Sequence, residues 1–81
     1  MRLRRSVYEI VWSILVYCRE PRKATHIATA CNLNTKSLRK YLEMLTSRGL
    51  LARDGDAYVT TERGLRYIEL FERIYRLIFS D

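Results

Sequence analysis

The side chains best suited to chemistry lie in one segment near the middle of the chain. Its polar members follow Asn34 and are Thr35, Lys36, Ser37, Arg39 and Lys40. Hydroxyl and cationic groups donate hydrogen bonds to phosphate, and Arg and Lys also donate to the O6/N7 edge of guanine. These residue types therefore indicate a surface that binds a polyanion.

Leucines at helical spacing indicate which element positions these groups. Leu38, Leu42 and Leu45 recur at intervals of four and three residues, which predicts a helix over about 35–48 with an apolar inner face and a basic outer face. Asn34 or Thr35 is expected to cap the start of this helix, and Gly49 is suited to the left-handed residue that ends it. The competing interpretation of the basic face is ordinary solvation without a ligand.

Different contacts are expected along that outer face. Arg39 and Lys40 are the candidates for base edges, because their donors match guanine. Lys36 and Ser37 are assigned to phosphate, where the helix N-terminus adds backbone donors and a favourable dipole.

Cations outside this helix are weaker candidates for DNA contact. Arg22 and Lys23 precede the second predicted helix, where phosphate contact and simple solvation are equally open. Phosphate contact and simple solvation are equally open for Arg53, which lies in a predicted β-hairpin after the basic helix. Met1 to Arg5 form a basic arm that could follow a groove or remain solvated.

The net charge supports a polyanionic partner. The 81 residues contain 15 Lys and Arg and nine Asp and Glu, giving +6. Residues 1–23 carry six cations and two acids, a net +4, and residues 34–48 carry four and one, a net +3, so the remainder sums to −1. This concentration of positive charge points to a polyanion, and together with the order of the predicted elements it favours nucleic acid, here double-stranded DNA, as the partner.

No catalytic, metal or cofactor site is predicted. His26 is the single histidine, and no nucleophile with a base is evident. Cys18 and Cys31 are interpreted as buried free thiols or as a disulfide, and together with His26 they lack a fourth metal ligand. A small-molecule effector would require a cavity between the last helix and the core, which the residue pattern does not demand.

Capping signals define the first two helices. Ser6 followed by Glu9 predicts a helix from about Val7, and Pro21 ends it. Its apolar run is far shorter than the ~20 residues that span a bilayer, so a cytoplasmic, chromosome-associated protein without membrane contact is expected. A second helix is predicted from His26 to about Cys31, capped by Thr25.

Inside that second helix, Ile27, Ala28 and Ala30 are expected to face inward. The extended link at 22–24 could add an edge strand to a later hairpin.

The hairpin is predicted to pair Leu50–Arg53 with Asp56–Val59 around the turn signal Asp54-Gly55. Strand alternation suggests that Leu51 and Val59 belong to the core.

A last helix is predicted from Glu62 to about Phe79, capped by Thr60 or Thr61, with Gly64 as an unfavourable residue in its first turn. It carries two apolar stripes, more than one small core can cover. One stripe should pack on the first helix, and its members are Leu65, Ile68, Tyr75 and Phe79. The other should meet a second copy of the chain, and its members are Tyr67, Phe71, Ile74 and Ile78.

Nearly the whole chain resembles small archaeal winged-helix DNA-binding proteins that dimerise through a C-terminal helix in an antiparallel coiled coil. The resemblance rests on SVYEIVWSIL, KATHIATACNLNTKSLRKYLEMLTSRGLL and AYVTTERG, and NLNTKSLRKYLEMLTSRGLL is its most specific part. Two features depart from that family. The last helix is short, and the wing carries Asp54 and Asp56, which would repel phosphate.

The resemblance implies a mainly α protein with a small β-hairpin. Residues 1–61 would form a winged helix-turn-helix DNA-binding domain with its wing at about 50–60, and residues 62–81 a dimerisation helix. The leading hypothesis is a homodimeric transcription regulator, not an enzyme, whose third helix enters the major groove. The alternatives are an architectural protein that coats the chromosome with little sequence specificity, and a winged helix that serves only as a protein-interaction module.

Overall fold

Four helices and a three-stranded antiparallel sheet account for the described part of the chain, residues 5–79, in this computed structural model. In chain order the elements are α1 (Val7–Tyr17), β1 (Arg22–Lys23), α2 (Ala24–Ala30), α3 (Thr35–Ser47), β2 (Leu51–Asp54), β3 (Ala57–Thr60) and α4 (Glu62–Phe79). The sheet order is β1-β3-β2. The mainly α fold class with a small hairpin is therefore confirmed. Apart from Arg5, the predicted N-terminal arm lies outside the described residues.

The start of α1 follows from its N-cap. The Ser6 hydroxyl accepts the backbone N–H of Glu9 at 3.2 Å, as the capping signal predicted. Val11, Ile14 and Leu15 are buried and form the α1 part of the core.

The predicted edge strand is confirmed, but the predicted start of α2, at His26, was wrong. Arg22 pairs with Tyr58 in β3, and α2 begins immediately after β1, at Ala24. Thr25 therefore lies inside the first turn and is not the cap. At the other end Ala30 is exposed, contrary to its predicted inward position, and Ile27 is the buried residue of α2.

Both ends of α3 agree with the sequence. The side-chain oxygen of Asn34 accepts the N–H of Ser37 at 2.8 Å. At the other end Gly49 has φ 78°, in the left-handed region, and the Leu50 N–H donates to the carbonyl of Leu45 at 2.8 Å. This pattern satisfies carbonyl groups that would otherwise lack partners.

The hairpin turn lies one residue later than predicted. Leu51 pairs with Thr60 and Asp54 pairs with Ala57, so the turn residues are Gly55, with φ 65°, and Asp56. Directly paired residues project from the same face of the sheet. Val59 lies on the face opposite to the buried Leu51, and its predicted place in the core was wrong.

Gly64 has a structural role that the sequence did not suggest. The hydroxyl of Thr61 caps α4 by accepting the Gly64 N–H at 3.1 Å. A Cβ on Gly64 would clash with the carbonyl oxygen of Leu50 and the methyl group of Thr60. The expectation that Gly64 is merely unfavourable was wrong, because only glycine permits this close approach.

The packing of α4 on α1 corrects the division of its apolar stripes. Of the stripe expected to pack on α1, Ile68 is buried, but Leu65, Tyr75 and Phe79 are 47%, 46% and 51% exposed, contrary to that expectation. Tyr67 and Phe71, which were assigned to a second copy, contact α1 of their own chain: the Tyr67 hydroxyl donates to the carbonyl of Tyr8 at 2.6 Å, and Phe71 stacks on Trp12 with centroids 5.8 Å apart. Periodicity showed that these rings share a face, but not which neighbour covers it.

Several large apolar side chains in the second half of α4 remain exposed. Ile74 and Ile78 are 59% and 68% exposed, and the others are Leu70, Tyr75, Leu77 and Phe79. Such a concentration of apolar surface is unusual for a solvated helix.

Both cysteines are buried and carry free thiols. Burial, followed by the proximity of Cys31 and opposed by Arg22, raises the pKa of Cys18 from 9.0 to about 12. Burial likewise raises the pKa of Cys31, against a hydrogen bond from Ser13 and the charge of Arg5. The thiols act as small apolar groups in the core.

Candidate nucleic-acid interface

The outward face of α3 carries three cations in its first two turns, followed by the exposed acid Glu43. Lys36, Arg39 and Lys40 are exposed, whereas Leu38 and Leu42 on the same helix are buried. At about 100° per residue, Lys36 and Lys40 point roughly away from the buried face and lie one turn apart. The structure thus brings together the three cations that the sequence proposed.

Arg39 lies on the flank of α3 that faces the sheet. It lines a groove of about 200 Å³ between α2, α3 and β3, together with Thr25, Thr35, Glu43 and Tyr58. Of the three cations, Arg39 alone lines this groove, and its planar guanidinium suits a directional contact.

The first turn of α3 adds backbone donors. Thr35 is exposed and Ser37 partly buried. The Asn34 side chain takes the N–H of Ser37, while the N–H groups of Thr35 and Lys36 belong to the helix end that has no intrahelical acceptor. Together with the helix dipole, these donors favour a phosphate near the helix start.

Arg22 and Lys23 have partners within the chain. The Arg22 Nε donates to the carbonyl of Tyr17 at 3.0 Å, and its guanidinium lies 4.4 Å from the centre of the Tyr17 ring. The Lys23 Nζ lies 3.6 Å from a carboxylate oxygen of Asp56, and both side chains are well exposed. A surface ion pair of this kind is weak and can exchange for a phosphate. The DNA contacts expected for Arg22 and Lys23 remain predictions.

The cation of the wing, Arg53, packs against a neighbouring strand of the hairpin. Arg53 lies over the ring of Tyr58, 4.9 Å from its centre, and donates to the Tyr58 hydroxyl at 3.2 Å and to the carbonyl of Gly55 at 3.4 Å. Asp54 and Asp56 are exposed next to it. The wing tip therefore offers a phosphate one cation and two carboxylates.

Arg5 has a positioning role that sequence patterns did not reveal. Its Nη1 donates to the carbonyl of Cys31 at 2.8 Å and its Nη2 to that of Asn32 at 3.3 Å. Asn32 has φ 55°, so the guanidinium holds the turn between α2 and α3 at its left-handed residue. The two partners are 26 and 27 residues away from Arg5, beyond the range of any local signal.

Residues 5–79 contain neither a metal-binding cluster nor a membrane-spanning helix. No group of three His, Cys, Asp or Glu side chains in this range is arranged to hold a metal ion. None of its helices has the length and apolar character needed to cross a membrane.

The chain is similar to two proteins of Methanocaldococcus jannaschii, both described as uncharacterized. The first is 32% identical over 88% of this chain and 75% of its own length. The second is 29% identical over 98% of this chain, which spans only 38% of that longer protein.

Solved structures give the same fold. The chain matches Sso10a-2, a DNA-binding protein from Sulfolobus solfataricus, with a TM-score of 0.76 and 29% identity, covering 94% of this chain and 87% of that one. It also matches an O-methyltransferase family protein from Burkholderia thailandensis, with a TM-score of 0.65 and 23% identity, over 75% of this chain but 18% of the enzyme. The second likeness concerns the fold alone and only a small part of that enzyme.

A sequence model of the winged helix-turn-helix family matches residues 4–79, almost the whole chain. This match agrees with the order of helices and strands, the capped α3 and the hairpin that follows it. The chain belongs to the winged helix-turn-helix family.

Proposed function

We propose that the protein is a homodimeric DNA-binding transcription regulator, each subunit of which places α3 in the major groove. The observation that carries the proposal is the exposed basic face of α3, where Lys36 and Lys40 point away from the buried leucines and Arg39 lies on the flank toward the sheet. The second helix of a helix-turn-helix is the usual reading element. The similarity to Sso10a-2, a DNA-binding protein, supports the same function.

The charges divide the contacts into two kinds. Lys36 and Ser37, next to the start of α3, are proposed to hold phosphate. Arg39 and Lys40 are proposed to reach base edges, with Arg39 giving the more selective contact. In keeping with its basic face, the protein would associate with the chromosome in the cytoplasm.

The homodimer is proposed from the uncovered part of α4. Ile74 and Ile78 are 59% and 68% exposed, and they occupy one side of a helix whose opposite side is charged. A second copy would cover this surface by helix-to-helix packing. Tyr67 and Phe71 would flank that contact while keeping their packing on α1.

The proposal is tested by titrating a fluorescent random-sequence duplex at several salt concentrations, with the protein's mass in solution measured in parallel. If each subunit neutralises about four phosphates, log affinity should fall against log salt with a slope near −7 for the dimer. An affinity that does not change with salt would contradict the proposal that the protein binds DNA. A monomeric mass at the concentrations that bind DNA would contradict the proposed dimer but not the proposed DNA binding.

An architectural role is the second candidate, because it would use the same basic face of α3 with little choice of sequence. The exposed Asp54 and Asp56 would restrict the wing's phosphate contact in either role. Selection of bound duplexes from a random pool separates the two roles. A selected site that binds more than ~1,000-fold better than random DNA at fixed salt supports a regulator, and a ratio near one supports chromosome coating.

The family and its DNA-binding relative argue against a catalytic role. The O-methyltransferase similarity covers only the part of a larger enzyme that shares this fold. Use as a protein-interaction module would be indicated if Arg39 and Lys40 proved dispensable for a complex and the chain bound heparin poorly.

A further inference from the structure

A cavity of about 280 Å³ opens between α1 and α4. Its lining residues are Glu9, Trp12, Phe71, Glu72, Tyr75 and Arg76. We call it the α1/α4 cavity. Its volume is near the lower end of the range of small-molecule sites, about 300–1,000 Å³.

Three aromatic rings form the apolar part of the α1/α4 cavity. Trp12 stacks on Phe71 with centroids 5.8 Å apart, and Phe71 lies 6.0 Å from Tyr75 at a tilt of 34°. Aromatic faces attract cations within ~6 Å of the ring centre. The rings also offer flat contacts to an apolar group, so they suit a ligand that combines both features.

Two carboxylates supply negative charge to the same cavity. The indole N–H of Trp12 donates to Oε2 of Glu72 at 3.0 Å, which holds the Glu72 side chain against the aromatic wall. Glu9 and Glu72 are both partly buried. Among residues 5–79 neither carboxylate has a cationic side chain within 4.0 Å. The third charged lining residue, Arg76, is exposed.

We propose that the α1/α4 cavity is a binding site for a small organic cation with an apolar body and one ammonium or guanidinium group. The rings of Trp12, Phe71 and Tyr75 cover the body, and Glu9 and Glu72 pair with the charge. The preference for a cation is a local property, because the chain as a whole carries +6 and would repel such a ligand elsewhere.

The charged side of the cavity remains open in the proposed homodimer. At about 100° per residue, Phe71 lies within roughly 60° of Ile74 and Ile78 around α4, whereas Glu72 and Arg76 lie roughly 120–160° from them. A second copy on the Ile74 and Ile78 side would therefore border the cavity at Phe71 and leave its Glu72 and Arg76 side accessible. The binding site does not depend on the proposed DNA contact.

Trp12 is the single tryptophan of the chain and reports directly on the cavity. The full-length protein is titrated with benzyltrimethylammonium at constant ionic strength, and benzyl alcohol serves as the neutral control. We expect a saturable change in tryptophan fluorescence with the ammonium probe and binding at least about tenfold weaker with the alcohol. Equal responses to both probes, or no saturation, would overturn the proposal.

Charge variants sharpen the test. Glu9→Gln and Glu72→Gln should each weaken the ammonium probe about tenfold, and Gln at 72 keeps an acceptor for Trp12. Glu69→Gln, an exposed residue of α4 outside the cavity, is the matched control and should leave affinity unchanged. Arg76→Gln should tighten binding, because it removes a cation that competes for the same carboxylates.

Two further outcomes are decisive. If tryptophan emission changes with protein concentration but not with the probe, a second copy covers the cavity and the proposal fails. If the probe binds as expected while duplex binding is absent, the cation site stands and the proposed DNA-binding function falls.

Discussion

The carbonyl oxygen of Leu50 lies so close to Gly64 that no side chain fits between them. The same carbonyl accepts the N–H of Thr61 at 3.1 Å, and the Leu50 N–H donates to Leu45 at 2.8 Å. The turn that ends α3 is therefore joined by backbone contacts to the first turn of α4. This contact fixes the direction in which α4 leaves the winged helix.

Replacing Gly64 with alanine should destabilise the protein. In an ordinary helix this change stabilises by about 1 kcal/mol, because alanine has the higher helix propensity. Here the added methyl group would collide with Leu50 and Thr60, so we expect the free energy of unfolding to fall by about 1–3 kcal/mol. Urea denaturation followed by circular dichroism measures the change. Glu62→Ala, in the same turn but exposed, is the control, and a more stable Gly64→Ala protein would contradict the close contact.

Features determined by neighbours in sequence were predictable. The caps at Ser6 and Gly49 satisfy backbone groups within a few residues of themselves and could be identified from the chain alone, whereas the sequence narrowed the cap of α3 only to Asn34 or Thr35. The basic face of α3 was predictable for the same reason, because helical spacing alone separates its cations from its leucines.

Features determined by distant contacts were not predictable. The Gly64 contact and the bonds of Arg5 to the α2–α3 turn join segments that become neighbours only in the folded chain. Periodicity placed Tyr67 and Phe71 on one face but could not show that α1 covers them. The cavity beside Trp12 could not be predicted from the sequence either, because its lining residues come from α1 and α4, near the two ends of the chain.

Removing the wing-tip acids should strengthen DNA binding. Asp54 and Asp56 are exposed beside Arg53, and Asp56 also pairs with Lys23 at 3.6 Å. The double variant Asp54→Asn and Asp56→Asn removes repulsion of phosphate and frees Lys23, so we expect about three- to tenfold higher affinity at low salt. Fluorescence anisotropy with a random duplex measures it.

The gain should shrink as salt is raised, because exposed charges are screened. Glu69→Gln changes an exposed acid on α4 and is expected to have little effect. Weaker binding by the wing variant would mean that the carboxylates themselves contact the duplex.

Protein stability should decrease in alkaline solution because of the buried thiols. Burial raises the pKa of Cys18 from 9.0 to about 12, so the folded chain retains a proton that the unfolded chain releases. The stabilising contribution is fully present below about pH 9 and is lost as the pH rises from 9 toward 12, by at most about 1.4 kcal/mol per pH unit for each such group. Denaturant unfolding at a series of pH values measures the slope.

Cys18→Ala is the comparison for this slope. The variant loses packing and is less stable at every pH, but its stability should depend less on pH between 9 and 12. The Tyr67 hydroxyl, whose pKa burial and the nearby Tyr8 raise from 10.0 to about 12, adds a second contribution that this variant retains. An identical pH slope in both proteins would exclude Cys18 as a source of the effect.

Arg39→Ala and Lys36→Ala should impair DNA binding in different ways. Arg39 lines the groove beside Tyr58 and is proposed to donate to a base edge, so its loss should cost about 1–3 kcal/mol on a selected site and relax the preference there. Lys36 lies in the first turn of α3 and is proposed to hold phosphate. Its loss should weaken every duplex similarly and reduce the magnitude of the salt slope by about one per subunit.

The two variants are compared on a selected duplex and on a random duplex at the same salt concentrations. Arg66→Ala, which removes an exposed cation from α4, is the charge-matched control. If Arg39→Ala weakens both duplexes equally while Lys36→Ala changes the ratio between them, the roles of the two side chains are reversed. If neither variant differs from Arg66→Ala, α3 is not the surface that meets DNA. Removing a cation from α3 would then matter no more than removing one from α4.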